Sequence, residues 1–153
     1  METAKLCGAQ VMVTGVDGDE HRLALARELP RARIFATDIS SRALQVARAN
    51  VEYFGLNRVI FLHGHFLSPL RKLHLENRCD LILSNPPYIS AKDWGRLPLA
   101  IRNYEPRRAL LAGSSGLEAI SRIIPDSHKF LKPGGYLILE IGKGQFRRAL
   151  PLF

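Results

Sequence analysis

The chain has 153 residues, 46% of them hydrophobic and 24% charged, with a formal net charge of +8. This length and composition fit a single globular domain and exclude a disordered chain. No apolar run approaches the roughly 18 residues of a membrane span, and no basic stretch followed by an apolar one marks a secretory signal. With only two cysteines a disulfide framework is unsupported, so the sequence predicts a cytoplasmic protein without a membrane partner.

The positive charge comes mainly from arginines that are scattered along the chain. Such a surface attracts polyanions, so a position near nucleic acid or the ribosome is one interpretation. Scattered charge on helix faces also serves solvation alone, and no basic patch interleaved with aromatic residues marks a surface that binds nucleic acid. The charge therefore leaves both interpretations open.

Short runs rich in β-branched residues alternate with segments of helical period. This alternation predicts an α/β fold in which helices cover both faces of a mostly parallel sheet. The predicted strands lie near residues 11–14, 33–38, 58–64, 79–84 and 136–141. The predicted helices span residues 20–29, 41–54 and 117–131.

Local signals mark where several of these elements begin and end. Ser40 is the predicted N-cap of the second helix, and Gly55 is its predicted left-handed stop. Residues 132–135, Lys-Pro-Gly-Gly, predict a sharp turn into the fifth strand. Residues 89–115 form a long irregular connection, and connections of this kind usually shape a site or its lid.

In an open parallel sheet, ligands bind beyond the carboxyl ends of the strands. Residues suited to a ligand lie at the carboxyl ends of four of the predicted strands, at positions 15–19, 38, 64–66 and 85–88. Their types suggest a nucleoside, because Asp38 can accept hydrogen bonds from both ribose hydroxyls and Phe66 can cover an adenine face. Asp38 has an alternative role as a cap of the following helix, shared with Ser40.

The fourth predicted strand ends in Asn85-Pro86-Pro87-Tyr88. The two prolines fix φ, and the Asn85 amide can both donate and accept hydrogen bonds. A planar nitrogen is a weak nucleophile because its lone pair is delocalised, so an enzyme that alkylates it must hold both of its hydrogens. Asn85 Oδ1 and the Pro86 carbonyl are suitable acceptors, and Tyr88 is a suitable packing surface. The alternative is a proline-rich turn that only ends a strand.

With these residues the chain resembles the HemK/PrmC family of class I methyltransferases, which methylate the glutamine amide in the Gly-Gly-Gln loop of peptide chain release factors. The segments that carry the resemblance are residues 36–40, 63–64, 80–89, 104–107, 116–117, 131–135, 140–142 and 144–145. The Asn-Pro-Pro-Tyr segment is shared with adenine-amine methyltransferases of DNA and RNA. The Tyr-Glu-Pro-Arg segment at 104–107 and the Gly-Gln ending at 144–145 resemble the release-factor group.

The resemblance implies a Rossmann-like sheet, S-adenosylmethionine as the methyl donor, a release factor as the protein partner, and no metal. Donor contacts are then expected from Gly15, Val16, Asp17, Gly18, Asp19, Asp38, His65, Phe66 and Asn85. Catalysis is expected from Asn85, Pro86 and Tyr88. Acceptor binding is expected from Asn85, Pro86, Pro87 and Tyr88.

The chain departs from the family pattern at specific positions. Asp17 and Asp19 stand where the family has glycines, although they equally suit the amino end of a helix. His65 stands where the family has an acidic residue. The resemblance also predicts that residues 1–153 are a single catalytic domain, without the family's helical amino-terminal domain and without its last antiparallel strand pair.

Three functional hypotheses follow from the sequence. The first is a methyltransferase that modifies the glutamine amide of a release factor. The second is an adenine-amine methyltransferase of nucleic acid. The third is a catalytically inactive module that keeps the methyltransferase fold and binds a protein or RNA.

Overall fold

The computed structural model describes residues 10–14 and 31–153. In this part of the chain, five strands form one sheet: β1 (Gln10–Thr14), β2 (Arg33–Asp38), β3 (Val59–His63), β4 (Cys79–Ser84) and, late in the chain, β7 (Leu131–Leu139). Two short strands, β5 (Ile89–Ser90) and β6 (Leu111–Gly113), pair with each other. The predicted positions of β2 and β4 are confirmed at both ends.

The strand order is β3-β2-β1-β4-β7, and every pairing in the five-stranded sheet is parallel. The chain builds outward from β1 to β3, returns to the middle at β4, and continues on the other side. This reversal falls between β1 and β4, whose carboxyl ends flank the crevice where open α/β sheets bind ligands. The predicted Rossmann-like architecture is confirmed, and within the described residues this sheet has no antiparallel strand.

Two longer helices pack on the described part of the sheet, α1 (Ser41–Tyr53) and α5 (Ile120–Phe130). The shorter helices are α2 (Ala91–Trp94), α3 (Leu99–Tyr104), α4 (Arg107–Leu110) and α6 (Phe146–Ala149), with 3₁₀ turns at Ser68–Leu73 and Leu150–Leu152. None of the helices in the described ranges has both the length and the apolar character that a bilayer crossing needs. The helix predicted for residues 20–29 lies outside the described residues.

The local signals for α1 act as predicted. Ser40 caps the helix through its side-chain oxygen, which accepts a hydrogen bond from the Ala43 amide at 3.2 Å. Gly55 follows the helix with a φ of +67°, the left-handed region that favours glycine. Both predictions are therefore confirmed, and the helix ends one residue before the predicted boundary.

The predicted boundary between α5 and β7 needs correction. Leu131 was assigned to the helix, but it pairs with Cys79 as the first residue of β7. The ladder is then interrupted and resumes at Tyr136 opposite Leu81, so the predicted turn at residues 132–135 forms inside the strand as a register shift. Gly134 has a φ of +79° in this turn. The sequence located the turn, whereas the pairing before it depends on distant Cys79.

Strand register decides which helix covers which face. Ala36 of β2 and Leu137 of β7 point to opposite faces of the sheet. In α1, Ala47 packs against Ala36, and in α5, Ile124 packs with the cluster that contains Leu137. Helices therefore cover both faces, as predicted. The largest buried cluster comprises Met12, Phe35, Leu67, Leu70, Leu75, Cys79, Ile82 and Phe130.

Two isoleucines of the sheet provide a matched test of this core. Ile82 on central β4 is fully buried, whereas Ile138 on β7 is 56% exposed. We expect Ile82→Ala to lower the free energy of unfolding by about 2–5 kcal/mol, because it leaves a cavity. Ile138→Ala should cost about 1 kcal/mol at most, the span of strand propensities. Urea unfolding measures both, and equal losses would contradict the described packing.

Candidate functional site

A cavity of about 510 Å³ lies at the carboxyl ends of β2, β3 and β4. Residues 37–43 line it from the end of β2 and the start of α1, and residues 85–87 line it from the end of β4. His65 and Phe66 contribute from the turn after β3. Three of the four predicted strand-end segments therefore meet in one crevice. The fourth, Gly15, Val16, Asp17, Gly18 and Asp19, lies outside the described residues.

The connection after β5 forms another part of the cavity wall. Its residues Glu105, Pro106, Arg108 and Ala109 line the same space. This connection was predicted to be irregular, but it contains three short helices and the strand β6, which pairs with β5. The connection therefore shapes this cavity, and its role in a functional site stays a prediction.

Asp38 is fixed in place at the end of β2. Its Oδ1 accepts a hydrogen bond from the Ser40 amide at 2.6 Å, and its carbonyl accepts one from the Gly64 amide at 3.0 Å. Ser40, not Asp38, provides the side-chain cap of α1. The Asp38 carboxylate thus organises the turn before the helix while it also lines the cavity.

Phe66 is held in a backbone conformation that a bulky residue rarely adopts. Its φ is +48°, and its carbonyl accepts a hydrogen bond at 2.8 Å from Thr37 Oγ1, whose residue is fully buried. A left-handed aromatic residue costs free energy, so it persists only where neighbouring groups fix it. Thr37 is such a group, and this contact has no local signal in the sequence because it spans 29 residues.

The turn between β3 and Phe66 is sterically tight. Gly64 has a φ of +155°, and a Cβ added to it would lie 2.6 Å from Pro69 Cγ. Only glycine avoids this overlap without movement of the buried proline. In this turn the rings of His65 and Phe66 pack edge to face, with ring centroids 4.0 Å apart and ring planes 64° apart.

His65 is electrostatically suited to a neutral role. Partial burial and the nearby Arg122 guanidinium, in that order, lower the pKa of His65 below its usual value of 6.5. The imidazole is then uncharged at pH 7, when one ring nitrogen accepts and the other donates a hydrogen bond. Arg122 lies on α5, and the sequence alone did not connect it with this site.

Asn85 presents an amide whose hydrogen-bonding capacity is unused by the described residues. Asn85 is half-buried on the cavity wall. Its side chain forms no hydrogen bond with any residue in the described ranges 10–14 and 31–153. Pro86, which follows it, is buried. A ligand in the cavity can therefore meet the Asn85 amide without breaking an existing bond.

Tyr88 differs from its three predecessors, because it is not among the described residues that line the cavity. Its hydroxyl donates to Glu140 Oε1 at 3.5 Å, a long contact. Burial and the Glu140 carboxylate raise the pKa of the Tyr88 hydroxyl. The ring faces the segment after β7, and its predicted packing against a planar acceptor stays a prediction.

The histidines near the cavity are not grouped as metal ligands. His63 Nε2 lies 2.9 Å from the Ile39 carbonyl, a contact that ties the end of β3 to the turn after β2. Within the described ranges, no cluster of three or more histidine, cysteine, aspartate or glutamate residues has the geometry to hold a metal ion.

Comparisons with known proteins identify the family. A family profile described as "Methyltransferase domain" matches residues 13–143. The chain belongs to this methyltransferase domain family. The crystal structure of TrmN from Thermus thermophilus superimposes on the domain with a TM-score of 0.64 at 22% identity, over 93% of this chain and 36% of that one. At this identity the likeness concerns the fold alone.

Curated relatives resemble this methyltransferase domain more closely in sequence. The release factor glutamine methyltransferase of Moorella thermoacetica is 48% identical over 124 residues, which are 80% of this chain and 42% of the relative. The protein of the same name from Geobacter sulfurreducens is 39% identical over 145 residues, 95% of this chain and 49% of the relative. These names confirm the resemblance found in the sequence. The chain spans less than half the length of each relative.

The buried Thr37 hydroxyl provides a test of the Phe66 turn. Thr37→Val keeps the shape of the side chain but removes the donor to the Phe66 carbonyl, so we expect a loss of about 1–3 kcal/mol in the free energy of unfolding. Thr37→Ser keeps the hydroxyl and should retain the hydrogen bond. Chemical denaturation compares the two variants. If the valine variant were as stable as wild type, this hydrogen bond would not hold the turn.

Proposed function

We propose that this methyltransferase domain transfers a methyl group from S-adenosylmethionine to the side-chain amide nitrogen of the glutamine in the Gly-Gly-Gln loop of peptide chain release factors. The observation that carries the proposal is the Asn85 amide, which forms no side-chain hydrogen bond within the described part of the chain and shares one cavity with Asp38 and Phe66. The names of the two curated relatives support the choice of acceptor. We also propose that the chain is a single catalytic domain and that it acts in the cytoplasm.

The residues of the cavity fit an adenosine-bearing donor. The Asp38 carboxylate suits the ribose hydroxyls, while Phe66 and neutral His65 offer an aromatic face and an acceptor for an adenine amine. Its volume of about 510 Å³ lies within the usual range for small-molecule sites, roughly 300–1,000 Å³. Residues 15–19 remain the predicted contacts of the methionine part. When bound, the donor supplies an electrophilic methyl group.

Asn85 and Pro86 would contribute to catalysis by orienting the acceptor nitrogen. The acceptor nitrogen carries two hydrogens, and Asn85 Oδ1 and the Pro86 carbonyl can each accept one. Holding both hydrogens fixes the plane of the acceptor and directs its lone pair toward the methyl group. Alignment of two reactants supplies much of the acceleration in such a displacement. The proton leaves after transfer, when the alkylated nitrogen is much more acidic, so this scheme needs no nucleophilic side chain.

A labelling experiment that compares acceptors distinguishes methylation of a glutamine amide from methylation of an adenine amine. The domain is incubated with radiolabelled donor and either a release factor, its Gly-Gly-Gln→Gly-Gly-Ala variant, or adenine-containing DNA and RNA. The proposal expects label in the intact release factor only. Label in nucleic acid would reassign the reaction to the adenine amine. Donor binding without transfer to any acceptor would favour the inactive module.

Two substitutions separate acceptor alignment from donor binding. Asn85→Ala should abolish methyl transfer and change donor affinity much less, because Asn85 is proposed to hold the acceptor. Asp38→Ala should weaken donor binding by about 1.5–3 kcal/mol, since it removes a charged acceptor. Calorimetry with the donor and a transfer assay measure both effects.

Asp38→Asn is the matched control for this pair, because it keeps an oxygen for the Ser40 amide while it removes the charge. It should therefore fold like wild type and still lose donor affinity. Comparable losses of transfer and donor affinity in the Asn85 and Asp38 variants would contradict the division of roles.

The lowered pKa of His65 predicts a pH dependence of donor binding. Because this pKa lies below 6.5, the imidazole is neutral at pH 7 and becomes protonated only as the pH falls below that value. Protonation removes the acceptor nitrogen and adds charge beside Arg122. Donor affinity should thus be constant from pH 7 to 8 and fall in more acidic buffer. Calorimetric titration with the donor at pH 7 to 8 and in more acidic buffers measures this change in donor affinity.

His65→Gln is the control for the pH experiment, because an amide oxygen accepts without titrating. The acidic fall in affinity should be absent from this variant. A fall of the same size in wild type and variant would assign the pH dependence to another group.

A further inference from the structure

The Gln145 side chain connects three separate segments next to the cavity. Its Nε2 donates to the Tyr88 carbonyl at 2.9 Å and to the Gly116 carbonyl at 3.1 Å. Its Oε1 accepts from the Gly142 amide at 2.9 Å. Gln145 is only 9% exposed, so these bonds form largely away from water. One buried amide therefore joins the loop after β4, the turn before α5 and the segment after β7.

Only a primary amide of this length satisfies these partners together. Two backbone carbonyls require two donors on one atom, and the Gly142 amide requires an acceptor on the other. A carboxylate at this position would face two carbonyl oxygens without a hydrogen to share. An apolar side chain would leave all three backbone groups without this partner, and buried backbone groups rarely tolerate that.

Two glycines leave the space that the amide occupies. A Cβ added to Gly116 would lie 2.7 Å from the Tyr88 carbonyl oxygen and 2.8 Å from Gln145 Nε2. A Cβ added to Gly142 would lie 3.0 Å from Tyr88 Cδ2 and 3.1 Å from Gln145 Oε1. Both glycines therefore pack around the contact between Gln145 and Tyr88.

The loop between Asn85 and Tyr88 is held at its ends rather than along its length, and the β5–β6 pairing that starts at Ile89 follows it directly. Pro86 and Pro87 have no backbone N–H, so the middle of the loop cannot donate to the neighbouring backbone. The loop begins at the β4 ladder, and the Tyr88 carbonyl that ends it is bonded to Gln145. Because the prolines fix two of the φ angles in the loop, fewer torsions are free to absorb a displacement of Tyr88 before it reaches Asn85.

We infer that Gln145 is a positioning residue for the methyl transfer: by holding the Tyr88 carbonyl, it fixes the Asn85 amide and the Pro86 carbonyl where they orient the acceptor nitrogen. The inference rests on the proposed function and extends it to a residue outside the cavity. It differs from a general stabilising role in one respect. Asp38, His65 and Phe66 have no described contact with Gln145, so donor binding should be independent of it.

The principal test is Gln145→Met, which keeps the length of the side chain and removes its hydrogen bonds. Transfer at saturating donor and release factor should fall by about 100-fold, the scale of a small misalignment of reactants. The dissociation constant of the donor, measured by calorimetry, should stay that of wild type. Equal losses of donor affinity and transfer would overturn the inference, because they would indicate general disruption of the domain.

A pair of glycine variants tests the same anchor without changing Gln145. Gly116 and Gly144 both have a φ of +81°. A Cβ added to Gly116 would overlap Tyr88 and Gln145, whereas a Cβ added to Gly144 would have no atom within 4 Å. Alanine at either position therefore carries the same backbone cost, whereas only Gly116→Ala displaces the amide contact. We expect slower transfer from Gly116→Ala than from Gly144→Ala. Equal rates in the two variants would contradict the inference.

Hydrogen exchange supplies a readout that does not depend on the reaction. In Gln145→Met, the Gly142 amide and the amides of residues 85 and 88–90 should exchange faster, while those of β2 and α1 keep wild-type rates. Unchanged exchange at residues 85–90 would overturn the anchor itself. If exchange changes as expected while wild-type protein methylates no release factor, the proposed function fails and the anchor is retained.

Discussion

The parallel sheet and its reversal between β1 and β4 constrain everything else in the described structure. Parallel strands end at one edge, so segments that are far apart in sequence must meet there. Asp38 ends β2, whereas Phe66 and Asn85 follow β3 and β4, and the three residues line one cavity for this reason. The long connection after β5 lines the same cavity through residues 105, 106, 108 and 109. A functional site at any other edge of the sheet would not collect these side chains.

The turns at that edge are held by buried polar groups rather than by apolar packing alone. Thr37 fixes the strained backbone of Phe66, the Asp38 carbonyl accepts from Gly64, and Gln145 fixes the Tyr88 carbonyl. Each of these bonds joins two segments that the sheet has brought together. Such bonds are directional, so they determine where a loop lies as well as whether it is stable. This directionality matters for the proposed reaction, in which the site would align two reactants without a nucleophilic side chain of its own.

Much of the fold was predictable because its signals are local. The β-branched runs located β2 and β4, and Ser40 and Gly55 marked the ends of α1. The cavity was predictable in outline, because strand ends in a parallel sheet converge whatever the sequence between them. Asn85 and its two prolines could be selected on chemistry alone.

The remaining features depend on distant contacts. Gln145 reaches Tyr88 across 57 residues and Gly116 across 29, and no periodicity in the sequence encodes such a triple contact. The early start of β7 at Leu131 depends on pairing with Cys79. The lowered pKa of His65 depends first on its partial burial and then on Arg122, which belongs to α5. The Gly-Gln pair at 144–145 is part of the resemblance to the release-factor group. The hydrogen bonds of the Gln145 side chain give a physical reason for the glutamine, and they are visible only in the structure.

We propose that the cavity between β2, β3 and β4 holds an adenosine-bearing methyl donor next to the Asn85 amide. A crystal structure of the domain with S-adenosylhomocysteine, the demethylated form of the donor, tests this proposal. We expect ribose oxygens within hydrogen-bond distance of the Asp38 carboxylate, adenine beside His65 and Phe66, and the sulfur facing Asn85. Adenosine bound elsewhere on the domain, with this cavity filled only by water, would contradict it.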